Sequence, residues 1–192
     1  MYGSKLDEQG QEIKAKGMMP LITGERVTGC KFISFEMGKN AVTGESTPGR
    51  YEIQFEQSNG RIFTQSFFES DQPWAQVNLN KAMLHICSSF VTVADYYAVV
   101  EGSENFSDFM NRIQTKIMPK AVGKSFTLKI TYNQQKSSGK WFAGFPNYPN
   151  YIELDGTVPS TLSTNPKYDK YSIPTESQDL EPSDLVEEET SF

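Results

Sequence analysis

The sequence contains very little of the chemistry that catalytic sites and metal centres need. It has one histidine, His85, and two cysteines, Cys30 and Cys87, among 192 residues. No cysteines or histidines have the spacing of metal ligands, and neither glycine-rich phosphate-binding motifs nor a nucleophile elbow is present. A single histidine between two apolar residues, Leu84 and Ile86, is typical of a structural side chain. We therefore expect no enzymatic activity, no cofactor and no metal site.

Long apolar stretches are also lacking. No run approaches the roughly 20 residues that a membrane span requires. Residues 1–20 are polar and mixed in charge, which is unlike a signal peptide. Two cysteines far apart in the sequence are typical of a reduced compartment. We therefore expect two free thiols in a cytoplasmic protein that has no membrane partner.

Negative charge is missing from one long stretch. The net charge is -6, from 24 acids and 18 bases, but seven of the acids lie in residues 172–192, so the rest of the chain carries +1. Residues 109–152 contain no acid and seven bases, which are Arg112, Lys116, Lys120, Lys124, Lys129, Lys136 and Lys140. A block of one sign this long produces a local positive potential whatever the charge of the whole chain.

Alternating segments predict a mainly β fold. Residues 26–37 alternate as a strand, with a slip at Gly29 that is typical of a bulge. Two further alternating segments are joined by Asn59-Gly60, a pair that favours a tight hairpin. Residues 124–145 predict a long second hairpin, and a last short strand follows before Asp155.

Helical spacing appears between the two hairpins. Residues 74–90 and 103–118 both place apolar residues on one face, and Ser103 or Asn105 is suited to cap the second segment. Residues 91–100 are rich in β-branched and aromatic side chains, which favours a strand. Short strands with glycine-rich turns are typical of a small antiparallel barrel or sandwich.

The composition divides the chain into three regions. Residues 1–20 predict a flexible leader, and residues 21–154 predict the folded domain. From Asp155 onward, proline, serine, threonine and acids dominate. We therefore expect residues 155–192 to be a mostly disordered acidic tail.

Aromatic residues are interleaved with the bases of the acid-free segment. Lysines neutralise phosphates and release counterions, while aromatic faces stack on unpaired bases at about 1–3 kcal/mol per base. Some of these rings belong to the core, because adjacent strand residues such as Trp141 and Phe142 point to opposite faces. The candidate nucleic-acid-binding residues are Lys39, Arg50, Arg61, Lys124, Lys129, Tyr132, Lys136, Lys140, Trp141, Phe142, Phe145, Tyr148 and Tyr151.

The last residues are three acids, Glu187, Glu188 and Glu189, followed by Thr190-Ser191-Phe192. A basic, aromatic-rich body with an acidic tail that ends on phenylalanine resembles the single-stranded DNA-binding proteins of bacteria and their phages. The phage type is the closer match, because the bacterial tail typically ends in Ile-Pro-Phe.

The resemblance implies an OB-fold-like antiparallel barrel of five to six strands, with two helical inserts and a disordered tail. It also implies a protein that coats and protects single-stranded DNA during replication, recombination and repair. In such proteins the tail recruits replication and recombination proteins, here through Glu187, Glu188, Glu189 and Phe192. A phage-encoded chain would act in the cytoplasm of the host cell.

Two alternatives stay open at the level of the sequence. An RNA-binding protein would use the same platform, because contacts to the 2′-hydroxyl cannot be recognised in a sequence. A structural or assembly protein would instead use the basic stretch as a protein interface. The oligomeric state, including a homo-oligomer, is also left open.

Overall fold

The computed structural model describes residues 20–40, 42–135 and 138–173. These residues form a mainly β fold of six strands and three α-helices. The elements are β1 (Gly24–Lys39), β2 (Ser46–Glu56), β3 (Ile62–Phe68), α1 (Pro73–Ser88), α2 (Val93–Val100), α3 (Phe106–Arg112), β4 (Ser125–Gln134), β5 (Trp141–Gly144) and β6 (Ile152–Leu154). The predictions for the leader, for Lys136 and for the tail residues Glu187, Glu188, Glu189 and Phe192 lie outside the described residues.

All six strands belong to one antiparallel sheet. The order is β3-β2-β1-β4-β5, and β6 pairs with β4 as well. Strand β6 pairs with residues 126–128 of β4, and β5 pairs with residues 131–134, so the two short strands occupy successive segments of β4. No backbone pairing joins β3 to β5 among the described residues. The sheet is therefore open, and the predicted barrel is not confirmed.

The predicted strand boundaries and turns are largely confirmed. Strand β1 changes register against β4 between Val27 and Cys30, and Gly29 has a φ of 70°, which places the predicted bulge there. The hairpin of β2 and β3 closes where the Gln57 N–H donates to the Arg61 carbonyl at 2.8 Å. Gly60 supplies the positive φ that this turn requires.

The three helices lie between β3 and β4. Helix α1 starts at Pro73, a residue whose fixed φ suits the first helical position. Helix α3 is capped by Asn105, as predicted, because its side chain accepts the Asp108 N–H. A π-helical turn at Ile113–Ile117 and a 3-10 turn at Met118–Ala121 then lead to β4.

The expectation of a strand over residues 91–100 is wrong, because Val93–Val100 form helix α2. The Thr92 hydroxyl accepts the Asp95 N–H and caps this helix. Tyr96 and Val100 are then buried one turn apart. The cap and this buried face outweigh the β propensity of the individual residues.

The core lies between the inner face of the sheet and the helical layer. Tyr51, Ile53 and Phe55 point inward from β2, as the alternation predicts. Met110 and Ile113 pack against this face from the helical side. This apolar layer fixes which strand face is left for other contacts.

Residues 155–173, which we name the strap, are packed against the sheet. The Tyr132 N–H donates to the Lys170 carbonyl at 2.7 Å, and the Thr23 hydroxyl donates to the Tyr171 carbonyl at 2.8 Å. The expectation of disorder is therefore wrong for residues 155–173, and the rest of the predicted tail lies outside the described residues. The strap has little apolar periodicity because it is held mainly by hydrogen bonds and one ion pair.

Candidate nucleic-acid interface

The β4–β5 hairpin extends past the edge of its neighbour. The last pair between β1 and β4 joins Gly24 to Ile130, whereas β4 continues to Gln134. Residues 131–134 of β4 pair instead with β5. We name these two paired segments, together with the described residues Gln135 and 138–140, the arm.

The arm presents aromatic rings on both of its faces. Phe142 pairs with Asn133 and is 53% exposed. Trp141 points to the opposite face, as does Tyr132, and both rings are half-buried. Lys140 is exposed and directly precedes β5. The arm therefore combines accessible rings with a lysine and contains no carboxylate.

Two of the predicted binding rings belong to the core instead. Phe145 and Tyr151 are 7% and 5% exposed, and their rings stack with centroids 4.5 Å apart. Phe63 packs against Phe145 at 5.1 Å. The assignment of Phe145 and Tyr151 to a DNA-binding surface is thus wrong, because neither ring is accessible to a base.

Lys129 is also misassigned, because its side chain is 0% exposed. Its ammonium group lies 2.5 Å from the Asp169 carboxylate and 2.6 Å from the Tyr148 hydroxyl, and it donates to the Ser163 carbonyl as well. These three partners use all three N–H donors of the group. Lys129 therefore holds the strap and is not accessible to a phosphate. Tyr148 is half-buried beside it, and its hydroxyl donates to Asp169.

The pKa values around Lys129 reflect this burial. Desolvation raises the pKa of Asp169, but hydrogen bonds from Lys129 and Tyr148 outweigh it and hold that pKa below its ordinary value. The pKa of Tyr148 is raised, first by desolvation and then by the neighbouring Asp169. The stable form is thus an ionised Asp169 beside a neutral tyrosine and a buried ammonium group.

The basic residues outside the arm are divided among separate places. The Arg50 guanidinium donates to Glu52 and Ser66, and it lies 5.7 Å from the centre of the exposed Phe68 ring. Lys39 lies 3.8 Å from Glu36 at the end of β1. These groups lie on β1, β2 and β3, outside the arm itself.

Two further predicted residues are not in the arm. Arg61 is half-buried and directly precedes β3. Lys124 directly precedes β4, so the ten residues from it to Gln134 place it about 33 Å from the end of the arm. Of the predicted residues, the structure thus brings together Tyr132, Lys140, Trp141 and Phe142.

Gln65 is a residue of the site region that the sequence did not reveal. Its Oε1 accepts the Phe145 N–H at 2.9 Å and so bridges β3 to the end of β5. A Cβ at Gly144 would lie 3.0 Å from the same oxygen, so glycine leaves room for the bridge. The sequence pattern that could have revealed Gln65 is its position on β3 between Phe63 and Phe67. Both phenylalanines are buried, so the alternation places the polar Gln65 on the inward face.

His85 has a structural setting, as its apolar neighbours predict. Its Nε2 accepts the Tyr151 N–H at 3.0 Å, and its ring packs edge-on against the Tyr151 ring. Desolvation lowers the pKa of His85 below its ordinary value of 6.5. The neutral imidazole is therefore the form that the folded chain favours.

We expect the free energy of unfolding to decrease as the pH falls below about 6.5, because the unfolded chain then takes up a proton that folded His85 resists. Urea unfolding at several pH values between about 7 and 5 measures this decrease. His85→Gln keeps an acceptor for the Tyr151 N–H but does not titrate, so its unfolding free energy should change less across this window. If wild type and His85→Gln show the same pH dependence of the unfolding free energy, His85 is not its source.

Both cysteines are free, as predicted, and both are buried. Burial, followed by the charge of Asp155, raises the pKa of Cys30 to about 12. Burial also raises the pKa of Cys87. Neither thiol is a reactive thiolate near neutral pH.

No protein-family model, curated protein or solved structure matches this chain. Within the described ranges, no helix has both the length and the apolarity to cross a membrane. In the same ranges, no group of three or more His, Cys, Asp and Glu side chains is arranged to hold a metal ion.

Proposed function

We propose that this chain is a non-enzymatic, sequence-nonspecific single-stranded DNA-binding protein that uses the arm to contact the strand. The observation that carries the proposal is the exposed Phe142 ring two positions after the exposed Lys140, in a hairpin without carboxylates. The protein would coat and protect single strands during replication, recombination and repair. It would act in the cytoplasm, which is that of the host if the chain is encoded by a phage.

The order of the strands supports an OB-fold-like arrangement. The helices are inserted between β3 and β4, and β1 pairs with both β2 and β4. Gln65 and Phe63 of β3 contact Phe145 just after β5, so side chains bridge the two strands that backbone pairing leaves apart. OB-folds bind oligonucleotides on the face of strands 2 and 3 and with the loops that follow strands 1 and 4. The arm corresponds to the second of these loops.

The chemistry of the arm favours unpaired bases. Every base has a flat face that stacks on an aromatic ring, whereas the faces of duplex bases are already covered. Lys140 neutralises a phosphate without reading the base beside it. Arg50 and Phe68, which lie together on β2 and β3, extend the path along the sheet. The expected result is weak dependence on sequence and strong dependence on strandedness and salt.

Fluorescence of Trp141 tests the proposal directly. The chain has two tryptophans, and Trp74 is 66% exposed on α1, so Trp74→Phe leaves Trp141 as the only reporter. We expect oligo-dT to quench this signal and duplex DNA of equal length to bind far more weakly. Lys140→Glu should also lower the slope of log affinity against log salt by about 0.7, because one phosphate contact is lost.

Three outcomes of this titration would decide against the proposal. Equal affinity for duplex would indicate a general polyanion binder, and tighter binding of a matched RNA would favour the RNA-binding alternative. No binding of any oligonucleotide would favour the structural or assembly protein.

The acidic tail is proposed to recruit replication and recombination proteins through Glu187, Glu188, Glu189 and Phe192. Removing residues 174–192 keeps Tyr171, which contacts Thr23, and removes the seven acids nearest the C-terminus. We expect tighter binding to oligo-dT, most clearly at low salt, because the tethered carboxylates no longer compete with DNA. Anisotropy titrations of full-length and shortened chains measure the difference.

Deleting Phe192 alone is the matched control for the tail. It removes no acidic side chain, so DNA affinity should stay nearly unchanged while partner recruitment is lost. If this variant still captures every replication protein that the full-length chain captures, the terminal ring has no role in recruitment.

A further inference from the structure

Beyond Asp155, the strap presents only positive charge to solvent. Residues 156–173 contain two bases, Lys167 and Lys170, and one acid, Asp169. The Asp169 side chain is 3% exposed and is paired with the buried Lys129, whereas both lysines of the strap are exposed. Neither of these two lysines forms an ion pair with a described residue. The accessible charge of this segment is therefore that of its lysines.

An exposed aromatic ring lies between the two lysines in sequence. Tyr168 is 62% exposed, and the Lys167 ammonium group lies 5.6 Å from the centre of its ring. Tyr171, the other ring after Asp155, is half-buried. A ring flanked by two cations combines the groups that stack on a base and neutralise the phosphates beside it.

Hydrogen bonds fix the turn that presents this ring. The N–H groups of Tyr168 and Asp169 both donate to the Asn165 carbonyl at 2.9 Å. The Asn165 N–H donates in turn to the Asp169 carboxylate at 2.8 Å. Lys129 holds the same carboxylate from the sheet. The turn is thus pre-organised, so a strand that binds through Tyr168 would pay little for ordering the backbone.

The strap lies directly beside the arm. The Tyr132 N–H donates to the Lys170 carbonyl, whereas Tyr132 pairs with Ala143 of β5. An N–H that bonds to the strap points away from β5, so Lys170 and Ala143 flank β4 on opposite sides. Two strand spacings place their backbones about 10 Å apart. This separation is small compared with the path of a strand that spans about 4–16 nucleotides on an OB-fold.

Phe142 faces the same side of the sheet as the strap. It pairs with Asn133, which shares a face of β4 with Lys129 because alternate residues of a strand point the same way. The strap covers Lys129 on this face through Asp169 and Ser163. The exposed Phe142 ring therefore lies on the face of the sheet that the strap covers farther along β4.

We propose that the strap is a second contact surface for the single strand, on which Tyr168 stacks on a base and Lys167 and Lys170 contact phosphates. This inference rests on the proposed function and extends it from the arm to a segment outside the acid-free part of the chain. One single strand would contact Phe142 on the arm and then Tyr168 on the strap. Lys129 and Asp169 take part only by holding the turn in place.

Substitutions in the strap test the inference by anisotropy of labelled oligo-dT. Tyr168→Ala should weaken binding about 5- to 150-fold, which is the range for the loss of one stacked base. Lys167→Gln with Lys170→Gln should lower the slope of log affinity against log salt by about 1.4, because two phosphate contacts are lost. All three side chains are exposed, so thermal unfolding by circular dichroism should stay nearly unchanged.

Matched substitutions elsewhere separate a contact from a general effect of charge or surface. Tyr97→Ala removes a ring that is 46% exposed on α2. Lys81→Gln with Lys120→Gln removes two exposed cations outside the arm and the strap. Both control proteins should bind oligo-dT as wild type does, with an unchanged salt slope.

The outcomes distinguish this inference from the proposed function. If Phe142→Ala weakens binding but the strap variants bind as wild type does, the inference is overturned and the proposed function stands. The inference is also overturned if the control variants lose as much affinity as the strap variants. If wild type does not bind oligo-dT, the proposed function fails and the inference fails with it.

Discussion

Replacing Lys129 by methionine is expected to lower the free energy of unfolding by about 3–5 kcal/mol, because it leaves a buried carboxylate without its counter-ion. Lys129 is 0% exposed and the Asp169 side chain is 3% exposed, so water cannot take the place of the ammonium group. The substitution also removes donors from the Ser163 carbonyl and the Tyr148 hydroxyl. Urea unfolding at pH 7, followed by circular dichroism, measures the loss.

The pH dependence distinguishes a lost charge pair from lost packing. In wild type the pKa of Asp169 is lowered, so its contribution is complete above about pH 4 and is lost as the pH falls further. In Lys129→Met the carboxyl can relieve its burial by protonation, so the deficit relative to wild type should shrink toward pH 4. Lys129→Met combined with Asp169→Leu should recover part of the loss.

An exposed lysine provides the control for this prediction. Lys31→Met should change the free energy of unfolding by less than about 0.5 kcal/mol, because substitutions of exposed residues usually have small effects. If Lys129→Met lowers the free energy of unfolding as little as Lys31→Met does, the strap does not bury the Lys129–Asp169 ion pair.

Replacing Phe142 by alanine is expected to weaken binding to oligo-dT by about 1–3 kcal/mol, or about 5- to 150-fold, if one base stacks on this ring. The ring is 53% exposed, so its removal should leave the unfolding transition nearly unchanged. Anisotropy of a labelled oligonucleotide measures affinity, and thermal unfolding by circular dichroism checks the fold.

Trp74→Ala is the matched control for Phe142→Ala. Trp74 is a more exposed aromatic side chain, at 66%, but it lies on α1, outside the arm. Its loss should leave DNA affinity unchanged. If both substitutions weaken binding to oligo-dT equally, or if neither weakens it, the arm is not the binding site.

Local patterns predicted the parts of the fold that depend on neighbouring residues. Asn59-Gly60 indicated the first hairpin, and Asn105 indicated the start of α3, because turns and caps are built from contacts within a few positions. The strand over residues 91–100 was wrong because burial of Tyr96 against α1 is a tertiary effect: its hydroxyl donates to the Asn80 side chain at 2.8 Å.

The candidate site was predictable only in part, because the second face of β4 is buried by residues that are distant in sequence. Thr127, Lys129 and Thr131 alternate with apolar residues, a pattern that normally indicates a solvent-facing strand surface. The strap covers this surface from about 30 residues away in sequence. No apolar periodicity in the sequence marks the strap. It contacts the sheet through polar groups such as the Asp169 carboxylate and the Ser163 carbonyl. The placement of Phe142 and Trp141 on opposite faces was predictable, because that alternation is intrinsic to a strand.

The contact between Thr23 and Tyr171 brings the beginning and the end of the described chain to one place, with 148 positions between them in sequence. A short linker from residue 173 back to residue 20 would therefore join the two ends without crossing the sheet. New ends could then be opened in the exposed connection between β1 and β2, since chains with adjacent termini tolerate circular permutation. In such a permutant the strap would become an internal segment that leads directly into β1. It would no longer follow all six strands in chain order.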